Sequence, residues 1–94
     1  MFKVIIKSRA EKEFKDLPRE LKEKFYKELK RLSIDPFSHP QVKKISGTAN
    51  GYRLRVGRWR ILFILYSKEK IIEVLDIFLK TSEGDYNKRR KLLK

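Results

Sequence analysis

GYRLRVGRWRILFILY, residues 51–66, alternates apolar and basic side chains as far as Arg60 and is then apolar up to Tyr66. Successive side chains of a β-strand point to opposite faces. Tyr52, Leu54 and Val56 therefore share one face, and Arg53 and Arg55 the other. Beyond Gly57, Arg58 and Arg60 again occupy alternate positions, with Trp59, Ile61, Phe63 and Leu65 out of phase with them. The stretch reads as two strands, 52–56 and 58–66. Guanidinium groups crowded on one face repel each other, which calls for an anionic partner, and a rigid bed of arginines suits phosphate. The competing reading is a solvated face, salt-bridged to acids or laid against an acidic protein.

Outward from this stretch, IIEVLDIFL at residues 71–79 forms a further strand, joined through the polar Ser67-Lys68-Glu69-Lys70 connection of a hairpin. ILFILY and IIEVLDIFL are apolar on both faces in places, as expected of central strands covered by helices. Residues 42–45 suit a short strand, and residues 46–51 a turn-rich connection. Toward the N-terminus, Phe2, Val4 and Ile6 alternate with Lys3, Ile5 and Lys7 in a first strand. Ser8-Arg9-Ala10-Glu11 has the S-x-x-E form of a capping box that starts a helix. Ala10, Phe14 and Leu17 form that helix's buried stripe. Pro18 suits the first position of a second helix, whose stripe is Leu21, Phe25, Leu29 and Leu32. Residues 35–41, DPFSHPQ, read as a loop with His39 at the surface. Residues 86–93 suit a short basic terminal helix. The expected fold class is α+β, with an antiparallel sheet packed by an N-terminal helical hairpin in the order β-α-α-β-β-β.

At 94 residues the chain is expected to be one small domain, residues 1–94, with one modest core. It has no cysteine and one histidine. Disulfides and thiolate metal sites are thereby excluded, and histidine-based metal or triad chemistry is disfavoured. No run reaches about 18 apolar residues and the N-terminus lacks the form of a signal peptide, so a cytoplasmic protein with no membrane partner is expected. The net charge is +13 and uneven. Residues 1–40 hold 11 basic and 7 acidic groups, a net of +4; residues 41–94 hold 14 and 5, a net of +9. The imbalance of the second half points to a polyanion. Lys43, Lys44, Arg58, Lys88, Arg89, Arg90 and Lys91 are the candidate backbone contacts.

Few acids follow position 40, and Glu73 and Asp76 fall on opposite faces of a regular strand, which disfavours paired-carboxylate catalysis. Arginine, lysine and tyrosine are abundant, and RNA phosphodiester cleavage can be run with those groups. The substrate supplies its own nucleophile, the 2′-hydroxyl, and fixed cations stabilise the charge that develops on phosphorus oxygens. DNA lacks that hydroxyl, so such a site would be specific for RNA. Trp59 and Tyr52 could act as stacking platforms; for Trp59, alternation with Ile61, Phe63 and Leu65 favours the core.

The strand-helix-helix opening, the K-x-x-G at residues 44–47, YRLRVGRWRILF at residues 52–63 and a strand ending before Lys80-x5-Tyr86 resemble the RelE/ParE superfamily of bacterial and archaeal toxins. The resemblance covers nearly the whole chain. It implies a microbial-RNase-like RelE fold, no metal or other cofactor, and a cognate antitoxin protein that wraps the toxin. On the RelE side it implies a ribosome-dependent endoribonuclease that cuts messenger RNA in the ribosomal A site. By that resemblance Arg53 and Arg55 bind and polarise the phosphate, and Arg60 stabilises the transition state. Lys80 protonates or stabilises the leaving group, and Tyr86 orients the substrate and aids activation of the 2′-hydroxyl. The chain departs from the family text in carrying arginines where lysines are common at the first pair of the arginine strand, and Leu79-Lys80-Thr81 where arginine is common. The alternatives are a ParE-type inhibitor of DNA gyrase and a non-catalytic RNA-binding protein.

Overall fold

A computed structural model describes residues 1–81, 86 and 89–93. The elements are β1 (Lys3–Ile6), α1 (Ser8–Lys15), α2 (Arg19–Ile34), β2 (Val42–Lys44), β3 (Gly51–Val56), β4 (Trp59–Tyr66), β5 (Ile71–Leu79) and a closing 3-10 turn, Arg90–Leu93. They form one five-stranded sheet in the order β1-β5-β4-β3-β2. The meander β2 to β5 is antiparallel, as expected, and β1 joins it parallel to β5.

The start of α1 differs from the capping-box expectation. Lys7 donates its N–H to the Val74 carbonyl, 2.9 Å away, so it still belongs to the sheet ladder while its own carbonyl accepts the Glu11 N–H. Lys7 thus takes the N-cap position without a side-chain hydrogen bond, and Ser8 is already helical. Pro18 likewise stands one position earlier than expected. It caps α2, and its carbonyl accepts the N–H groups of Leu21 and Lys22 at 3.0 Å. A proline has no N–H to leave unpaired at a helix start.

The helical stripes meet the apolar face of the sheet in one cluster. Ala10, Phe14, Leu17, Phe25, Leu29 and Leu32 pack on Leu54, Val56, Ile61, Phe63, Leu65, Ile72, Val74 and Ile77. Phe25, fully buried, is tilted against Phe14 and packs nearly at right angles to Trp59. Trp59 is half-buried against this cluster, in agreement with its assignment to the core.

The helices cover one face only. The opposite face has its own cluster of Ile45, Leu62, Ile64, Phe78 and Leu93. The apolar character of both faces of β4 and β5 therefore reflects helices on one side and the C-terminal segment on the other. Gly51 is confined beneath that segment: a Cβ there would meet Thr48 Oγ1 at 2.7 Å and Leu93 Cβ at 3.3 Å.

A bulge in β5 changes the parity of the strand. Phe63 pairs with Val74 and Leu62 with Asp76, so Leu75 is the extra residue. Glu73, opposite Ile64, and Asp76, opposite Leu62, consequently lie on the same face, the one away from the helices. Strict alternation had put them on opposite faces; one inserted residue reverses it. A Phe25→Ala variant is expected to lose about 3–5 kcal/mol of unfolding free energy, since the space between Phe14 and Trp59 cannot close fully. Urea denaturation measures this, and a loss below about 1 kcal/mol would contradict the packing described.

Candidate functional site

The β3–β4 hairpin turns through Gly57 and Arg58. Gly57 alone of the two has a left-handed φ, +62°, the type II′ pattern. The turn fixes the register Val56 opposite Trp59 and Arg55 opposite Arg60. Arg55 and Arg60 are thus direct cross-strand neighbours on the face away from the helices. Side chains so paired lie about 5 Å apart at Cβ, a separation at which like charges destabilise a sheet. No carboxylate among the described residues forms a salt bridge with either one. An anion seated between them would remove the repulsion.

Arg60 is held in one orientation. Its Nη1 donates to the carbonyls of Gly57 and Trp59, both at 2.9 Å, and its Nε donates to the Tyr86 hydroxyl at 3.0 Å. A guanidinium has five N–H donors. The two on Nη2 have no partner among the described residues and are the ones available to a ligand. Tyr86 accepts from Arg60 and retains its own O–H to donate. Its ring stands edge-on to Phe78 at 5.9 Å, with Lys80 Nζ also 5.9 Å from its centroid. The Lys80 N–H donates to the Arg58 carbonyl at 2.9 Å, which ties the end of β5 to the hairpin turn.

Arg60, Lys80 and Tyr86 are therefore brought together from three places in the chain, with Arg55 beside them. Arg53 lies two residues along the same face, and its Nη1 donates to the Gln41 carbonyl at 3.2 Å. Lys43 pairs with Arg53 and shares that face, whereas Lys44 pairs with Tyr52 and belongs to the helix-covered side. Lys44 thus stands apart from the arginine cluster, through strand alternation alone. Arg58 is exposed in the turn rather than at the start of β4, and Lys91 is exposed. Lys88 and the side chain of Arg90 lie outside the described residues.

Arg89 has a different place from the one expected. Its Nε is 2.6 Å from Asp76 Oδ2, its guanidinium carbon is 3.8 Å from the Phe78 ring centroid, and its side chain is 19% exposed. Arg9 of α1 approaches the other oxygen of Asp76 at 3.2 Å, and the Ile77 N–H donates to the same oxygen at 2.9 Å. Asp76 is 2% exposed, and a carboxylate removed from water needs such compensation. Arg89 is thus part of a clamp joining β5, α1 and the C-terminal segment rather than a surface contact for phosphate. The acid within the apolar run IIEVLDIFL was the available signal for this clamp, but its partners are 67 positions earlier and 13 later in the chain.

His39 is buried rather than at the surface. Its Nε2 is 2.9 Å from Glu28 Oε1 on α2, and its Nδ1 accepts the Gln41 N–H at 3.1 Å. No metal-binding group of histidine, cysteine or acidic side chains occurs among the described residues.

Residues 4–81 match the family model described as the ParE toxin of type II toxin-antitoxin system, parDE. The chain belongs to the RelE/ParE superfamily of toxins. It is 30% identical over 87 residues to the Methanocaldococcus jannaschii protein named "Putative toxin RelE1", covering 90% of this chain and 94% of that protein. The RelE in the archaeal RelE–RelB complex from Pyrococcus horikoshii superposes with a TM-score of 0.74 at 26% identity, over 83% of this chain and 93% of its own. The isolated Escherichia coli RelE toxin superposes with a TM-score of 0.75 over 99% of this chain and 100% of its own; at 18% identity this likeness concerns the fold. The α+β architecture expected from the sequence is thus that of RelE toxins.

In this toxin the Asp76 clamp holds Arg89 against Phe78, the ring on which Tyr86 also rests. Asp76→Ala is expected to destabilise the protein by about 2–4 kcal/mol, toward the lower end because the Arg9 it releases is largely solvated. Thermal or urea unfolding reads the loss. An unchanged midpoint would show that the two arginines contribute nothing through that carboxylate.

Proposed function

We propose that this type II toxin is a metal-independent endoribonuclease that cleaves messenger RNA in the ribosomal A site and so inhibits translation. The observation that carries the reading is Arg60, fixed at three of its N–H groups beside Arg55, with Tyr86 and Lys80 against it. The scissile phosphate sits between Arg55 and the Nη2 of Arg60, with Arg53 on the adjoining phosphate. The 2′-hydroxyl gives its proton to solvent as its oxygen attacks phosphorus, the bond to the 5′-oxygen breaks, and charge accumulates on oxygens facing donors that are already oriented. Tyr86 orients the 2′-hydroxyl, and the Lys80 ammonium stabilises or protonates the leaving oxygen. The products are a 2′,3′-cyclic phosphate, or the 3′-phosphate once water opens that ring, and a 5′-hydroxyl. Lys43, Arg58 and Lys91 extend the cationic surface along the RNA backbone.

The toxin acts in the cytoplasm, where ribosomes are, and is neutralised by a cognate antitoxin. The Pyrococcus horikoshii structure, a RelE–RelB complex, supports such a partner. The excess of positive charge after residue 40 favours acidic segments in it. Among the described residues no helix is long and apolar enough to cross a membrane.

Addition of purified toxin to a translation extract, followed by mapping of message ends, tests the activity. Cleavage within ribosome-bound message is expected, and intact message with translation unaffected would refute it. Arg60→Ala should lower the cleavage rate about 100- to 1,000-fold. Tyr86→Phe should reduce cleavage far more than ribosome binding; equal losses would remove its catalytic role. Association with ribosomes should weaken steeply as salt rises, because each phosphate contact releases counterions. A second reading, inhibition of DNA gyrase, draws on the ParE description of the matching family model. Gyrase-dependent DNA cleavage stimulated by the toxin, with message left intact, would establish it instead.

A further inference from the structure

We propose that His39 is a positioning residue for Arg53, acting through the backbone of Gln41; the proposal rests on the ribonuclease reading for its catalytic consequence. The His39 side chain has no solvent exposure. Because Nδ1 accepts from the Gln41 N–H, the ring proton is on Nε2, which donates to Glu28, and both ring nitrogens have a partner. The carbonyl of the same Gln41 accepts twice, from the Arg55 N–H at 3.0 Å and from Arg53 Nη1 at 3.2 Å. A single residue's backbone therefore links a buried histidine to an arginine of the phosphate face.

The physical reason lies in the edge of the sheet. β2 pairs with β3 only through Val42–Lys44 opposite Tyr52–Leu54. Beyond that ladder, Gln41 is still in register with Arg55, but it is the first loop residue and its direction is set locally. Pro40 supplies no N–H, and the Val42 N–H returns to the His39 carbonyl at 3.2 Å. The His39 ring fixes the remaining freedom by accepting from residue i+2, the geometry otherwise made by asparagine or aspartate in an Asx-turn. Glu28 anchors the ring to α2, with Arg31 3.8 Å from the same carboxylate oxygen. Glu28 and Gln41 line an open cleft of about 380 Å³ that reaches Arg55, so the relay borders the substrate face.

The arrangement distinguishes two substitutions. His39→Asn keeps an acceptor for the Gln41 N–H and gives up the contact with Glu28. His39→Leu fills similar space and removes both. Nitrogen-15 spectra of the Arg53 Nη–H groups, one of which donates to the Gln41 carbonyl, should be alike in the wild type and His39→Asn and shifted toward faster exchange in His39→Leu. In message cleavage His39→Leu should lose about tenfold or more in kcat/KM, His39→Asn should retain most activity, and His39→Leu in an Arg53→Ala background should cost nothing further. A merely structural histidine would lose activity in both backgrounds alike. That additive result, equal losses for Asn and Leu, or an Arg53 signal unchanged by His39→Leu overturns the proposal. Should His39→Leu not fold, His39→Gln, which reaches Glu28 but not the Gln41 N–H, takes its place under the same criteria. Should the wild type cleave no message, the ribonuclease reading fails, and the Arg53 spectra alone decide the positioning.

Discussion

The register of β3 against β4 is the constraint from which both the core and the candidate site follow. A two-residue turn with a left-handed Gly57 brings Val56 opposite Trp59, and every later pair is then determined. Leu54 meets Ile61, and Tyr52 stacks on Phe63, under the helices. Arg55 meets Arg60 on the other side. A slip of one residue would turn the arginines into the core and the apolar set outward. The burial of Leu54, Val56, Ile61 and Phe63 therefore enforces the cross-strand pairing of two arginines whose like charges oppose it. Core burial thus holds a repulsive pair in place, and that pair is where the proposed ribonuclease reading seats the phosphate.

The remaining cations are sorted by what compensates them. Asp76 is carried to the non-helical face by the Leu75 bulge and, itself almost fully buried, binds the mostly buried Arg89 and the largely solvated Arg9. Arg89 also stacks on Phe78, the ring against which Tyr86 rests. One buried carboxylate thereby holds the arginine that shares the Phe78 ring with the tyrosine bound to Arg60. Arg60 in turn is satisfied by two carbonyls and a hydroxyl, neutral acceptors that orient its charge without cancelling it.

Much of this was legible along the chain. Period-two alternation at Tyr52–Val56, helical spacing at Leu21, Phe25, Leu29 and Leu32, and glycine at the turn express local rules that act within a few residues. Family resemblance added Lys80 and Tyr86, which composition would have left as an ordinary strand end and helix start. The departures have a common origin. Arg89 reads as one of a run of basic surface groups until Asp76 comes within reach of it. His39 reads as a loop histidine until Glu28, 11 positions earlier, closes over it. The S-x-x-E at Ser8 has the form of a cap, but the sheet keeps Lys7 in its ladder and moves the helix start.

By itself, the sequence determined the elements, their buried faces, the α+β class and the alternation that puts Arg53 and Arg55 on one side. These are consequences of side-chain periodicity and of a charge excess that no local acid offsets. Tertiary structure decided which cations are committed and which remain available. It placed Arg60 between Tyr86 and Arg55, bound Arg89 to Asp76, separated Lys44 from Lys43 across the sheet and buried His39. Each of those outcomes depends on a partner distant in sequence or on one inserted residue in β5. Contacts of that kind form only after the chain has closed on itself, so they leave no local periodic trace.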